Sequence, residues 1–258
     1  MNQIPKIVEH ISNWLLTYSN QAGAEGFIIG ISGGIDSAVT STLCALTGKK
    51  TLVVTMPIRQ TKAEFDRAAE HIAWLQEKFP NVTSQTVELT DVFTRLEDNL
   101  GNETKHHHLA MANTRSRLRM TTLYALGQVN GLLVAGTGNK VEDFGVGFFT
   151  KYGDGGVDVS PIADLMKTEV FAIGEHLGIV YSIQSAKPTD GLWEDGRSDE
   201  DQIGATYPEL EWAMEFTGSE IELDERHREV LAIYRRLNRL NKHKMEPIPV
   251  CIIPNELK

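Results

Sequence analysis

Apolar residues recur every three or four positions between residues 4 and 18, at Ile7, Val8, Ile11, Trp14, Leu15 and Tyr18, and that spacing predicts an amphipathic helix ahead of the first strand. Residues 26–31 change the period: a short, nearly unbroken apolar run has the length of a strand buried on both faces. The run ends in Ser32-Gly33-Gly34, and residues 36–46 resume as a helix. A second strand at 51–55 is closed by Met56-Pro57, and a helix over 62–79 carries Phe65, Ala68, Ala69, Ile72 and Leu75 on one face. Residues 82–89 read as a third strand and about 108–129 as a long helix. Leu132 to Ala135 is a fourth strand, closed by Gly136-Thr137-Gly138-Asn139. Strand, glycine turn and long helix recur, which predicts an α/β fold: a mostly parallel, three-layer sheet with helices on both faces.

Beyond the fourth strand the pattern loosens. Residues 145–158 are glycine-rich, Pro161 follows, and 165–177 is a helix. A second loop at 185–202 sets Asp190, Glu194, Asp195, Asp199, Glu200 and Asp201 against Lys187 and Arg197; loops of this length are often lids. Charged helices at 207–216 and 222–243 lead to an extended tail at 247–254. No repeat and no Gly-, Ser- or Pro-rich linker divides the sequence, so residues 1–258 are expected to form one domain with peripheral C-terminal helices.

Composition narrows the partners. With 41% hydrophobic and 23% charged residues, the chain has the makeup of an ordinary globular enzyme. A formal net charge of -10 disfavours nucleic acid, while Arg115, Arg117 and Arg119 leave room for a small phosphorylated ligand. No apolar run approaches membrane-helix length, no signal segment opens the sequence, and two cysteines make no disulfide framework, so the cytoplasm is the expected compartment.

The candidate chemistry starts at Gly30-Ile31-Ser32-Gly33-Gly34-Ile35-Asp36-Ser37, between a strand and a helix. Backbone N–H groups of a glycine turn and of a helix's first turn cradle phosphate oxygens, and Ser32 and Ser37 can add hydroxyls. Asp36 would repel that phosphate unless a divalent cation lay between them, which implicates Mg²⁺. No lysine follows Gly34, which weakens a Walker A reading. Gly30 to Gly34 also matches the G-x-S-x-G elbow of serine hydrolases, but no earlier strand–helix loop is present to supply its oxyanion hole.

Ser32-Gly33-Gly34-Ile35-Asp36-Ser37 resembles the SGGxDS loop of the ATP pyrophosphatase superfamily. Four further blocks are similar to the ammonia-dependent NAD synthetase family over nearly the whole length: residues 113–120, Gly136 to Glu142, Gly147 to Asp158, and Pro188-Thr189 with Asp199-Glu200. The resemblance implies an adenine nucleotide alpha hydrolase-like sheet of order 3-2-1-4-5. It also implies amidation of nicotinic acid adenine dinucleotide by ammonia, with ATP and Mg²⁺, through an acyl adenylate. Residue by residue, it places ATP against Gly30, Ser32, Gly33, Gly34, Ser37, Arg59, Thr137, Lys167 and Thr189, and the cation on Asp36 and Glu142. The acid dinucleotide falls to Asn113, Arg117, Phe149, Lys151, Asp154, Asp158, His243 and Lys244. Asp36, Lys151, Asp154 and Lys167 are the catalytic candidates, Asp154 as the group that orients ammonium or takes its proton. A homodimer with its dinucleotide site between subunits is implied. With no amidase segment, so is free ammonia or ammonia from a separate protein.

Other readings compete with each piece. Successive arginines two positions apart on a helix point about 200° apart, so Arg117 is the expected ligand contact, with Arg115 and Arg119 on the surface or at a dimer contact. His106-His107-His108 could satisfy only part of a zinc shell and reads as a solvated segment, while Cys44 and Cys251 suggest no thiol chemistry. Asn139, Lys140 and Val141 replace the more usual residues before the metal-site glutamate. Another ATP-dependent ligase of GMP synthetase type, or a non-catalytic nucleotide-binding module, remains as an alternative.

Overall fold

The structure, a computed structural model, describes residues 3–189 and 198–258. Asp190, Trp193, Glu194, Asp195 and Arg197 of the expected acidic loop lie outside the described residues. The apolar run becomes β1 (Gly26–Gly30), which pairs in parallel with β2 (Lys50–Thr55) on one side and β4 (Leu132–Val134) on the other, while β3 (Val82–Thr86) pairs outside β2. The order is β3-β2-β1-β4. Sequence order reverses between β1 and β4, which makes the C-terminal ends of these two strands the switch point where open parallel sheets bind ligands.

Alternation along β1 divides the core. Phe27 and Ile29 face α1 (Ile4–Gln21), α2 (Ile35–Leu46), α3 (Lys62–Lys78) and α6 (Lys167–Leu177), whereas Ile28 faces α4 (Thr90–Lys105) and α5 (His108–Asn130). A third cluster joins a π-helical turn (Val141–Val146) to α8 (Asp199–Ile203), α9 (Tyr207–Glu215) and α10 (Glu225–Met245); these are the peripheral C-terminal helices, with the short α7 (Tyr181–Gln184) outside them. Among the described residues, no helix is long and apolar enough to cross a membrane.

Three elements depart from expectation. α4 fills a stretch in which no helix was expected, and it buries Phe93 and Glu97. The glycine-rich loop begins inside the π-helical turn, a conformation that often marks functional positions. The fifth strand of the implied order is reduced, among the described residues, to a single parallel bridge between Ala135 and Val159.

The core also carries a pH liability. His71 is fully buried, and its Nε2 lies 3.0 Å from the Ser41 hydroxyl. Ser41 donates to the Ala38 carbonyl at 3.0 Å, so its oxygen is left to accept from the Nε2–H tautomer of His71. Burial lowers the His71 pKa to about 4. The unfolded chain therefore takes up a proton near pH 6.5 that the native state refuses until about pH 4. Stability is full above that window and falls as pH drops through it, by roughly 3 kcal/mol in total. Urea denaturation of His71→Gln should show a flatter acid limb between pH 6.5 and 4; an unchanged slope would assign the acid sensitivity to other groups.

Candidate active site

At the end of β1 the chain folds back on itself through its own hydroxyls. Ser37 Oγ donates to the Gly34 carbonyl at 2.9 Å and accepts from the Ser32 N–H at 3.3 Å, and the Gly34 N–H donates to Ser32 Oγ at 3.2 Å. Gly33 has φ +87°, and a Cβ there would stand 2.7 Å from the Glu64 carbonyl, so the turn can lie against α3 only with glycine at this position. Gly34 caps α2 in extended conformation, which directs the first-turn N–H groups of that helix toward the turn. The Ser32 and Ser37 hydroxyls sit 3.2 Å apart beside them.

Three charged groups from distant elements meet next to this loop. Lys167 Nζ lies 2.5 Å from Asp36 Oδ2 and 3.0 Å from Glu142 Oε1, and its side chain is 3% exposed. Asn139 Nδ2 donates to the other Asp36 oxygen at 3.1 Å. A lysine at the first residue of a helix opposes the helix dipole, so Lys167 owes its place to the two carboxylates. Burial alone would lower Lys167 and raise Asp36, favouring a neutral pair. The two carboxylates outweigh that for the lysine, which stands above its ordinary value and stays charged.

Tyr207 and Asp199 complete the cluster, and Tyr207 was not singled out in the sequence. The phenol donates to Glu142 Oε1 at 2.6 Å and lies 3.3 Å from Asp199 Oδ2, while the Lys167 ammonium sits 4.7 Å over its ring. Burial and the surrounding carboxylates hold this phenol far above its ordinary pKa, so it is a permanent donor. The Asp199 N–H donates to the Pro188 carbonyl at 3.1 Å, which brings the Pro188-Thr189 segment to the same side. Thr137 follows β4 at the switch point.

The other candidates gather between α5, the loop after the π-helical turn, and α10. Asp154 Oδ1 accepts from Ser116 Oγ at 2.5 Å and from the Thr150 N–H at 3.1 Å, and Thr150 donates to Asn113 at 2.7 Å. Arg117 Nε donates to the Lys151 carbonyl at 3.2 Å, and Lys151 Nζ to the His243 carbonyl at 2.7 Å. Lys244 Nζ lies 4.8 Å over the Phe149 ring. Asp158 accepts from Tyr124 at 3.0 Å and from the Val134 N–H at 2.8 Å, so it ties α5 to β4.

A cavity of about 150 Å³ lies here, lined by Asp143, Asp154, Phe149, Ser160 and Lys244 among others; Asn113, Arg117, Lys151, Asp158 and His243 stand outside its lining. Asp143 is a residue the sequence reading missed. Burial, then Glu142, Asp154 and Asp36, push its carboxyl up to about 7. A larger cavity of about 350 Å³ lies at the ends of β2 and α3, with Arg59 on its wall. Arg59 is held by Glu97 at 2.5 Å and lies 5.4 Å over Phe93, in a left-handed backbone conformation at φ +52°.

Arg115 stacks on Phe93 at 5.4 Å and Arg119 Nε donates to the Met56 carbonyl at 3.0 Å, so both serve the interior around α5 rather than the open surface. His107 caps α5 by accepting from the Ala110 N–H at 3.2 Å, and among the described residues no group of three or more His, Cys, Asp or Glu is arranged to hold a metal.

The family described as NAD synthase matches residues 7–247. The chain is 38% identical over 242 residues, 92% of its length and 93% of the relative's, to the NH(3)-dependent NAD(+) synthetase of Carboxydothermus hydrogenoformans. Among solved structures it is similar to NMN synthetase from Francisella tularensis, with a TM-score of 0.85 and 30% identity, over 98% of this chain and 99% of that one. The NH3-dependent NAD synthetase of Campylobacter jejuni shares the fold, with a TM-score of 0.78 at 23% identity over 97% and 100% of the two chains.

Proposed function

The chain belongs to the NAD synthase family, and from that premise we propose a role for each group in the site. It is an ATP-dependent ligase that converts deamido-NAD to NAD with ammonia. A carboxylate cannot expel its oxygen unaided, so the nicotinate oxygen attacks the α-phosphorus of ATP, pyrophosphate leaves, and ammonia then displaces AMP from the acyl carbon with loss of a proton. The observation that carries this assignment is the Asp36–Lys167–Glu142 cluster beside a serine and glycine anion cradle, with a second cavity next to it.

Ser32, Gly33, Gly34 and Ser37 take the triphosphate, with Thr137 and Thr189 at its margin, and the cavity beside Arg59 takes the adenosine. Two carboxylates supply the hard oxygen donors that Mg²⁺ prefers, and phosphate oxygens and water complete the shell. Asp36 and Glu142 would hold the ion, which when bound offsets the charge of the triphosphate. Lys167 adds a fixed positive charge where negative charge develops, and Lys151 orients the acid substrate; the contribution is positioning and electrostatics.

Asp154 already accepts two hydrogen bonds, whereas Asp143 has no side-chain hydrogen bond among the described residues and lines the cavity. Asp143 therefore joins Asp154 as the carboxylate that receives ammonium. Asp143→Asn should raise the ammonium concentration for half-maximal rate about tenfold, while ATP–pyrophosphate exchange, which needs no ammonia, keeps its rate. An unchanged ammonium dependence would return the role to Asp154.

The exposed Tyr124 and Val129 of α5 belong to the face we assign to a homodimer contact; Trp14 and Tyr18 of α1 lie on the other side of the sheet. The reading keeps the chain as one domain in the cytoplasm, in line with its two free thiols.

The test supplies purified protein with ATP and Mg²⁺, either ammonium chloride or glutamine, and one acid at a time, and follows pyrophosphate and product. Amidation of the acid dinucleotide with ammonium and none with glutamine is expected. Likeness to an NMN synthetase makes the corresponding acid mononucleotide a second candidate, to be run in parallel. Turnover with xanthosine monophosphate alone would support the GMP synthetase-like alternative, and nucleotide binding without turnover of any acid would support the non-catalytic nucleotide-binding module.

A further inference from the structure

One stripe of α10 reads the main chain of the neighbouring segment carbonyl by carbonyl. Asn238 Nδ2 donates to the carbonyls of Phe144 at 3.3 Å and Gly145 at 2.8 Å, and Asn241 Nδ2 to that of Val146 at 2.8 Å. Lys244 Nζ donates to the carbonyls of Gly147 and, at 2.7 Å, Phe149. Residues three apart lie along one side of a helix, so these donors follow the strip of chain they hold. Lys151 Nζ returns a bond of 2.7 Å from that strip to the His243 carbonyl.

The segment needs such donors. It leaves a π-helical turn at Val146, and the last carbonyls of a helical turn have no partner within it. Gly147, at φ +65°, lets α10 approach: a Cβ there would stand 2.4 Å from the Asn241 Cβ. The segment starts just after Glu142 and Asp143 and ends at Phe149, so its shape sets the distance between the carboxylates and the ring that line the site.

We propose that Asn238, Asn241 and Lys244 are positioning residues that hold residues 144–149 and thereby fix Phe149 for the acid substrate, Lys244 acting as a main-chain strap. Two of the three protons of its ammonium are spent on carbonyls. The proposal rests on the reading of this half of the site as the acid-substrate half.

The experiment combines steady-state kinetics with hydrogen exchange of the amides of residues 141–150 in the substrate-free protein. Lys244→Met and Asn241→Asp, which keeps the shape but cannot donate, should raise KM for the acid substrate about tenfold and leave KM for ATP within about twofold. Both should speed exchange at residues 144–150, and Lys244→Arg should restore most of both readouts. Asn238→Ala, at the outer end of the stripe, gives a milder variant should Asn241→Asp fail to fold. A raised KM in Lys244→Met with parental exchange would make Lys244 a substrate ligand and overturn the proposal. Parental KM values in all the variants would overturn it as well. Should the parent amidate no acid at all, the functional reading fails, and exchange by itself still decides whether the strap holds the segment.

Discussion

Lys167→Met is expected to cost the protein both its fold margin and its reaction. The ammonium is 3% exposed and holds two carboxylates whose side chains are 18% and 15% exposed, so its removal leaves adjacent, poorly solvated negative charges. Breaking a buried ion pair from one side typically costs about 3–5 kcal/mol. The loss should depend on pH in a definite direction. Burial already holds Asp36 above its ordinary value, and without the ammonium it rises further, so the deficit is greatest at neutral and alkaline pH and shrinks as pH falls through the raised value. Chemical denaturation of parent and variant at pH 8 and pH 5 checks this, and a small, pH-independent deficit would contradict it. Adding Asp36→Asn and Glu142→Gln to Lys167→Met removes all three charges of the Asp36–Lys167–Glu142 triad and leaves Asp199 as it was. Stability should then recover, because a neutral replacement of a buried triad leaves nothing unpaired. Turnover should not recover.

The second large effect is on the reaction alone. Asp36→Asn and Glu142→Gln should each lower turnover by about a hundredfold or more, the scale seen when a preorganised electrostatic group is removed from a reacting centre. Each keeps the size and polarity of the side chain, and Asn139, Tyr207 and Lys167 remain in place, so the melting temperature should fall little. Binding of Mn²⁺ with ATP, read by electron paramagnetic resonance, should weaken in parallel, which separates a cation role from general disturbance of the site. Parental rates for both variants at saturating ATP and Mg²⁺ would end the assignment of these carboxylates to the cation.

Both predictions concern a cluster that is only partly visible in the sequence. Asp36 could be marked as a functional carboxylate from its place in Ser32-Gly33-Gly34-Ile35-Asp36-Ser37, because the strand, the turn and the helix that make the cradle are contiguous. Glu142 and Lys167 entered through family resemblance, since neither carries a local sign of where its side chain points. Tyr207 gave none at all: a tyrosine opening a helix after a capping threonine is ordinary, and its hydroxyl meets Glu142 across 65 positions. Asp143 beside Glu142 would read as one more acidic residue. It becomes notable only because Phe149, Asp154 and Lys244 close a cavity around its carboxyl.

The same division runs through the fold. Short unbroken apolar runs, the 3.6-residue period, capping pairs such as Thr61 with Glu64, and the glycine turn after β1 act over a few residues, so strands and long helices could be placed to within a few positions from sequence. α4 escaped because polar residues and Gly101, at φ +79° within it, dilute its apolar face; what holds it is Phe93 packed between β2 and α5 and Glu97 paired with Arg59. The π-helical turn escaped because its last carbonyls are satisfied by α10, nearly a hundred residues later. By itself the sequence determined the parallel sheet, the glycine turn after β1 and the family. Tertiary packing decided the rest: which lysine neutralises Asp36 from 131 positions away, which phenol donates to Glu142, and which helix shapes the second cavity. Local order follows from backbone geometry and nearest side chains, whereas charge compensation and cavity walls exist only once α2, α6, α9 and α10 have been brought together at one edge of the sheet.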